Sequence, residues 1–365
     1  MSNLACGIVG LPNVGKSTLF NALLKKKQAG AANFPFCTID PNIGIVDVPD
    51  SRLKTLSAIS HSKKLLPATM TFVDIAGLVK GASTGEGLGN QFLANIRETD
   101  AIVHVVRCFE DDEVIHVEGK VDPINDIEVI NLELILADLQ MVENSLQKIE
   151  RQAKGKKELL PTLDALKKVS SHLNASQPVR SLELTKEEQA LVSPYQFITA
   201  KKVIYAANLS EEEISSLDTP HYKTVLEYAA KENSHVIPFC AKLEEELAQL
   251  EEEEANEYLE TLGLSEPGLS RLIKVGFETL GLITFLTTGE QETRAWTVTT
   301  GSTAQESAGK IHTDIQKGFI RAEVVSFEDM VEHGGRVGAK DAGKARSEGR
   351  DYIVKDGDVI LFFHN

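Results

Sequence analysis

Gly10-Leu11-Pro12-Asn13-Val14-Gly15-Lys16-Ser17-Thr18 is the stretch on which the fold turns. Its first eight residues fit G-x-x-x-x-G-K-[ST], and the apolar run Leu4-Ala5-Cys6-Gly7-Ile8-Val9 leads straight into it. Glycines at Gly10 and Gly15 let the backbone curl so that successive N–H groups, those at Asn13 and Val14 included, converge on phosphate oxygens. The helix expected to follow adds the positive end of its dipole. Lys16 is then placed to reach β- and γ-phosphates, the Ser17 hydroxyl to ligate Mg²⁺, and Thr18 to touch the α-phosphate.

Working outward, residues 4–9, 70–73, 101–106 and 202–206 are continuous apolar runs separated by helical stretches. Strands buried on both faces read this way, so the expected architecture is α/β, a doubly wound and mostly parallel sheet. Asp74-Ile75-Ala76-Gly77 ends the second run. A carboxylate there can hold Mg²⁺ through its water shell, and the Gly77 N–H can meet the γ-phosphate. Between the two motifs, Phe34-Pro35-Phe36-Cys37-Thr38 offers a loop threonine, Thr38, able to complete the metal's shell. The glycines at 77, 81, 85, 87 and 89 suit a segment that orders around the γ-phosphate and relaxes after hydrolysis.

Asn208-Leu209-Ser210-Glu211 follows the 202–206 run, where a GTPase places N-K-x-D, its guanine reader. Glu211 is one methylene longer than that reader's aspartate, and Leu209 replaces the lysine that packs along the base. Both changes point from guanine towards adenine, with Asn208 available to the base's imidazole edge and the Leu209 backbone to adenine's amino group. Cys240-Ala241-Lys242 stands in for the S-A-K loop that flanks the base.

From about residue 126 the hydrophobic period changes. Leu132, Ile135, Leu139, Val142, Leu146, Ile149 and Ala153 alternate steps of three and four, the seam of a helix facing a partner helix. Lys154-Gly155-Lys156-Lys157 reads as a turn, and Leu159, Leu163, Leu166 and Leu173 form a return stripe. The expected organisation is a nucleotide domain over 1–125 plus 200–280, an inserted helical hairpin or coiled coil over 126–199, and an α+β domain over 281–365. In that last domain, 282–287 and 294–298 read as strands and 303–311 as a helix. Asp356-Gly357 reads as a hairpin turn between 352–354 and 359–363.

Composition limits the partners. The chain has 365 residues, is 42% hydrophobic and 25% charged, and carries a formal net charge of −16. No global field draws it onto DNA or an anionic membrane, so any RNA contact needs a local basic patch such as 154–157 or 340–350. Cys6, Cys37, Cys108 and Cys240 are far apart with no C-x-x-C, which argues against a disulfide framework or a zinc site. No leader is visible ahead of the phosphate loop, and no apolar run approaches the roughly 20 residues a membrane span needs. A cytoplasmic protein is expected.

The runs 10–18, Asn33-Phe34-Pro35-Phe36-Cys37-Thr38, Asp74-Ile75-Ala76-Gly77-Leu78-Val79-Lys80-Gly81-Ala82 and 208–211 resemble the YchF family of Obg-like ATPases. Arg294-Ala295-Trp296-Thr297, Ile311-His312-Thr313-Asp314 and Gly357-Asp358-Val359 are similar to that family's C-terminal TGS domain. The resemblance covers essentially the whole chain. It implies a translation-factor-type G domain with a helical insertion and a ubiquitin-like β-grasp at the C-terminus. It also implies ATP preferred over GTP, and association with the ribosome, through its large subunit or as a whole.

Hydrolysis is the step the motifs leave open. In Ras-like enzymes a glutamine after D-x-x-G orients the attacking water; here Leu78 holds that position and cannot bond it. His116, in the polar loop after the 101–106 run, is the candidate proton acceptor, because a neutral imidazole titrates near physiological pH. His104 lies within the strand and reads as a packed ring. Asn13 could help hold K⁺ beside the phosphates. The expected activity is ATP hydrolysis to ADP and phosphate, used as a switch. The alternatives are a GTPase of the same fold, or a ribosome- or RNA-binding module whose turnover is incidental.

Overall fold

The computed structural model describes residues 4–30, 42–75, 88–111 and 120–365, with the backbone alone at 26–30 and 88–91. Thr38, Gly77, Leu78 and His116 therefore lie outside the described residues. Two compact units emerge: Met1–Gly44 with Thr71–Leu272, and Ile45–Met70 with Ile273–Asn365. The sequence-based boundaries put 45–70 in the nucleotide domain, whereas here it groups with the C-terminal part.

The first unit contains β1 (Ala5–Val9), α1 (Lys16–Gly30), α3 (Leu88–Arg97), β5 (Ala101–Arg107), α4 (Pro123–Ala153), α5 (Leu160–Asn174) and α6 (Lys186–Val192). It continues through β6 (Lys202–Asn208), α7 (Glu211–Ser216), α8 (Pro220–Lys231), β7 (His235–Phe239), α9 (Ala241–Leu247) and α10 (Glu252–Thr261). β2 (Ile43–Asp47), β4 (Thr69–Asp74) and α11 (Gly268–Thr279) carry the chain across the boundary, and α2 (Ser51–Ser60) and β3 (Leu65–Leu66) fall within the second unit. The sheet runs β2-β4-β1-β5-β6-β7, with β1 parallel to β4 and β5, and β5, β6 and β7 parallel in turn. All residues of β1 and β5 are buried, as expected of strands covered on both faces. From β1 the chain winds first towards β4 and then, through β5, to the other side. The C-terminal end of β1 is therefore the topological switch point, where such sheets bind ligands.

The hairpin is α4 and α5. α4 starts at Pro123, capped by the Asp122 carboxylate, which accepts from the Asn125 N–H at 3.1 Å. Its 31 residues span about 46 Å at 1.5 Å per residue. The first turns bury Ile127, Ile130 and Leu134, and the later ones pack on the rest of the insertion, with Met141 also meeting Arg97 of α3. There Ile135 and Val142 meet Ala165, Leu166, Val169 and Leu173, with Leu139, Leu146 and Ile149 at the margin. The expected seam is thus present, except that Leu132 is 47% exposed and lies off it. Asp138 fastens α4 to the end of the insertion, just before β6. Its carboxylate, fully buried, accepts from the N–H groups of Ile198 (3.0 Å) and Thr199 (2.8 Å) and from the Thr199 hydroxyl. Burial pushes its pKa up despite those bonds.

The second unit adds β8 (Leu282–Thr288), β9 (Thr293–Thr299), α12 (Ala304–Ile311), α13 (Thr313–Lys317), β10 (Phe319–Val325), α14 (Phe327–Glu332), α15 (Arg336–Asp341), β11 (Arg346–Glu348) and β12 (Val359–His364). Its sheet runs β11-β10-β12-β8-β9-β3, with β12 parallel to β8 and antiparallel to β10. α12, capped by Thr303 and Glu306, covers a core of Phe285, Val298, Ala322, Val324 and Ile360. This is an α+β layout. The hairpin expected at Asp356-Gly357 is absent: 352–354 forms no strand, only an isolated bridge at Ile353. The Asp356 carboxylate instead accepts from the Thr284 N–H at 2.9 Å and from Arg52 Nη1 at 2.7 Å. Arg52, at the start of α2, also donates to Asp50 and Thr284, which is how segment 45–70 joins this unit.

Among the described residues, no helix is long and apolar enough to cross a membrane.

Candidate functional site

The phosphate loop leaves β1 at the switch point. Asn13 (φ 64°) and Gly15 (φ 95°) adopt left-handed backbone, which Asn tolerates and Gly adopts freely. Gly15 has a second reason to lack a side chain: a Cβ there would lie 2.3 Å from Asn208 Nδ2. At Gly10 a Cβ would lie 2.9 Å from the Val105 carbonyl oxygen. Both approaches are closer than real Cβ atoms make. The loop is thus held against β5 and β6, with Leu11 and Val14 buried and Pro12, Asn13 and Ser17 exposed. Lys16 opens α1, and the Leu19 N–H donates to the Gly15 carbonyl at 2.9 Å. The first turn of α1 carries no acidic residue, which keeps its N-terminal end positive.

Lys16 Nζ donates to Asp74 Oδ1, pairing the loop lysine with the carboxylate that ends β4. The parallel register of β1 with β4, Ile8 opposite Asp74, brings these two motifs together across 58 residues of sequence. Ser17 follows Lys16 in the first turn of α1. This carboxylate and hydroxyl are hard oxygen donors, and the set fits Mg²⁺ rather than a softer metal.

On the base side, Asn208 ends β6 and is only 3% exposed. Its Nδ2 donates to the Val14 carbonyl at 3.0 Å, and its Oδ1 accepts from the Ala241 N–H at 2.9 Å. Both ends of the amide therefore bond protein backbone, and the residue ties the phosphate loop to the Cys240-Ala241-Lys242 loop. Leu209 is buried, with its N–H donating to the Phe239 carbonyl at 2.8 Å. Glu211 is the first residue of α7, capped by Ser210 and Glu213, and its Oε2 stands 3.8 Å from Lys242 Nζ.

Two further side chains bear on this end of the sheet. Arg107 ends β5 opposite Asn208 and is 1% exposed. Its Nε donates to the Phe109 carbonyl at 3.1 Å and its Nη2 to the Asp111 carbonyl at 3.2 Å, while the guanidinium lies 4.6 Å over the Phe109 ring. Burial lowers its pKa, and the nearby Asp111, Asp126 and Glu110 oppose that shift. No motif marks Arg107, although a charge closing the apolar run Ala-Ile-Val-His-Val-Val is a signal. His104 is a packed ring as expected: buried, 5.7 Å from the Tyr205 ring, and pushed down to about 3 by burial, with Arg180 adding to the shift. Burial therefore favours the neutral ring.

The fold, with this loop at its switch point, defines a P-loop nucleoside triphosphatase. Comparisons with known proteins agree. Residues 5–152 match a family model described as "50S ribosome-binding GTPase", and residues 282–365 match the YchF GTPase C-terminal model, described as a protein of unknown function. The chain is 55% identical over 363 residues to the "Ribosome-binding ATPase YchF" of Escherichia coli O157:H7, covering 99% of each. It is 54% identical over 366 residues to the protein of that name in Bacillus subtilis, again covering 99% of each. Among solved structures, the Schizosaccharomyces pombe YchF GTPase superposes with a TM-score of 0.89 at 37% identity, covering 100% of this chain and 98% of that one. A GTP binding protein from Pyrococcus horikoshii, at 20% identity and a TM-score of 0.62, shares the fold. The chain belongs to the YchF family.

Proposed function

We propose that this chain is a Mg²⁺-dependent ATPase that releases ADP and phosphate and acts as a nucleotide-controlled switch on the ribosome. The observation that carries the hydrolase reading is the contact of Lys16 with Asp74 at the mouth of a loop whose glycines cannot be replaced without collision. On nucleotide binding Lys16 turns to the β- and γ-phosphates, while the N–H groups of 13–18 cradle them. Ser17 and Thr38 would ligate Mg²⁺ directly and Asp74 through water; the ion, when bound, neutralises charge developing on the transferred phosphoryl. The Gly77 N–H meets the γ-phosphate, and His116 accepts the proton of the attacking water. Arg107 supports that role by holding the carbonyls of Phe109 and Asp111, the described stem of the loop that carries His116. Asn13 contributes an amide oxygen towards K⁺, and equal turnover in Na⁺ and K⁺ would count against this.

Adenine is favoured by the base side. Glu211 is longer than a guanine reader's aspartate and stands by Lys242. The Leu209 N–H is engaged, which leaves the Leu209 carbonyl as the group that can accept from adenine's amino group. Asn208 acts from behind, by fixing both loops. The bacterial relatives are named ATPases, and the fungal structure a GTPase, so the base is decided by competition: ATP should displace a labelled nucleotide at lower concentration than GTP. The ribosome reading rests on the printed names of the relatives. We take the inserted hairpin (126–199) and the C-terminal TGS-type domain (281–365) as the partner-facing parts, in a cytoplasmic protein. Co-sedimentation with ribosomes that ignores the bound nucleotide would reject the switch.

A further inference from the structure

Three backbone carbonyls at the C-terminal end of α3 converge on one side chain. Lys201 Nζ donates to the carbonyls of Ile96 (3.0 Å), Arg97 (2.9 Å) and Thr99, which uses all three N–H donors of the ammonium. The last carbonyls of a helix have no partner within it, and a cation there also meets the negative end of the dipole. Lys201 is distant in sequence, standing just before β6 and 104 positions from Arg97. Burial lowers its pKa, and Asp100 opposes that shift. The same corner is fixed to β1: the Ala5 N–H donates to the Asp100 carboxylate at 2.9 Å, and the Asp100 N–H to the Ala5 carbonyl at 2.8 Å.

Just ahead of Lys201 the chain is held by α4. The buried Asp138 carboxylate takes the N–H groups of Ile198 and Thr199 and the Thr199 hydroxyl. A second contact runs in parallel, from Arg97 Nη1 to Met141 Sδ at 3.2 Å, and Met141 lies three residues beyond Asp138 on the same face of α4. Hydrogen bonds therefore lead from α3 through Lys201 and Thr199 into the first helix of the hairpin. The opposite side of the hairpin's base is fastened elsewhere. There Arg180 pairs with Glu232 at 3.1 Å and Asn131 Nδ2 donates to the Tyr228 hydroxyl at 3.2 Å, both on α8 or its cap. The two ends of α3 thus differ. It opens at Leu88, within the glycine-rich stretch 77–89, and closes on Lys201 about 15 Å away at 1.5 Å per residue.

We propose that Lys201 couples α3 to the inserted hairpin, so that exchange of ATP for ADP at the phosphate loop alters the packing of α4 on α5. The inference rests on the switch reading, in which segment 77–89 orders around the γ-phosphate, and adds the route and the residue. Hydrogen exchange, read by mass spectrometry on the full chain, tests it with Mg²⁺ and either ADP or a non-hydrolysable ATP analogue. Peptides covering α3 and residues 139–173 are compared. In the wild type both regions should differ between the nucleotides by about five-fold or more in protection, the low end of coupling between linked sites. Lys201→Met removes the ammonium and keeps an apolar stem. Its α3 should still respond, while the response of 139–173 should shrink to within about two-fold. A merely structural role would lower protection in both nucleotide states alike and leave their ratio unchanged. Tyr228→Phe, which cuts the α8 link, is the control and should keep the wild-type ratio. If Lys201→Met melts below the assay temperature, Thr199→Val, which removes the hydroxyl bond to Asp138, is read in its place with the same expectation.

An undiminished hairpin response in Lys201→Met, or in Thr199→Val where that variant stands in, overturns the proposal. So does a wild type in which α3 responds to the nucleotide and the hairpin does not; the switch reading then survives without this route. An equal loss in Tyr228→Phe would mean that any loosening of the hairpin's base erases the ratio, and the assignment to Lys201 falls. If both nucleotides bind the wild type and α3 is indifferent to which, the switch reading fails and takes the coupling with it.

Discussion

Replacing Asn208 by alanine should uncouple the phosphate loop from the loop that flanks the base. The side chain is 3% exposed, and its two hydrogen bonds, 3.0 Å to Val14 and 2.9 Å to Ala241, both end on backbone groups inside the protein. Truncation leaves a buried carbonyl and a buried N–H without partners, each costing about 1–3 kcal/mol. With some relaxation the sum is about 2–4 kcal/mol. Expressed wholly in binding, that is a loss of roughly 30- to several-hundred-fold in ATP affinity, at 1.4 kcal/mol per factor of ten. Expressed in folding, it lowers the melting temperature by several degrees. Asn208→Asp keeps the acceptor for Ala241 but turns a second oxygen towards the Val14 carbonyl, so it should do no better than alanine. Calorimetric titration with Mg·ATP and a thermal melt on each variant read the two components. An Asn208→Ala protein with wild-type affinity and wild-type melting would refute the clamp.

The other expectations concern single features. Gly15→Ala puts a methyl 2.3 Å from Asn208 Nδ2 at a φ of 95° and should abolish detectable nucleotide binding while the far-ultraviolet spectrum stays native. His104 is pushed down to about 3 by burial, against about 6.5 for an ordinary histidine. Between these values the unfolded chain binds a proton that the folded chain refuses, so this residue makes stability fall as pH drops from about 6.5 towards 3. Denaturant midpoints should decline less on acidification in His104→Gln than in wild type; parallel declines would count against this. Leu166→Ala empties a fully buried position in the hairpin core and should destabilise by about 2–5 kcal/mol, read by urea unfolding.

What was legible in the sequence was local. The phosphate loop requires glycine at fixed spacing, the β1 and β5 runs are apolar throughout, and the hairpin seam repeats by threes and fours. Each of those constraints acts within a few residues. The grouping of 45–70 with the C-terminal unit was hidden, because it rests on long-range contacts: β3 pairing with β9, and Arg52 meeting Asp356, 304 positions away. The same long-range contact turned an apparent Asp-Gly hairpin into a capping loop. Leu132 fits the heptad count yet lies outside the seam, since at that level α4 packs on the sheet side through Ile130 and Leu134. In the site, Gly10, Lys16 and Asp74 could be named from motifs. The clamp made by Asn208 and the anchor made by Arg107 could not, because a motif says which residue stands at a strand end and not which backbone groups face it.

We propose above that this loop hydrolyses ATP in preference to GTP. Steady-state phosphate release, measured with Mg·ATP and Mg·GTP for the wild-type chain and for Lys16→Ala, tests it most directly. The expected result is a higher kcat/KM for ATP and no measurable release with either nucleotide in the variant. A higher kcat/KM for GTP, or undiminished turnover without Lys16, would contradict it.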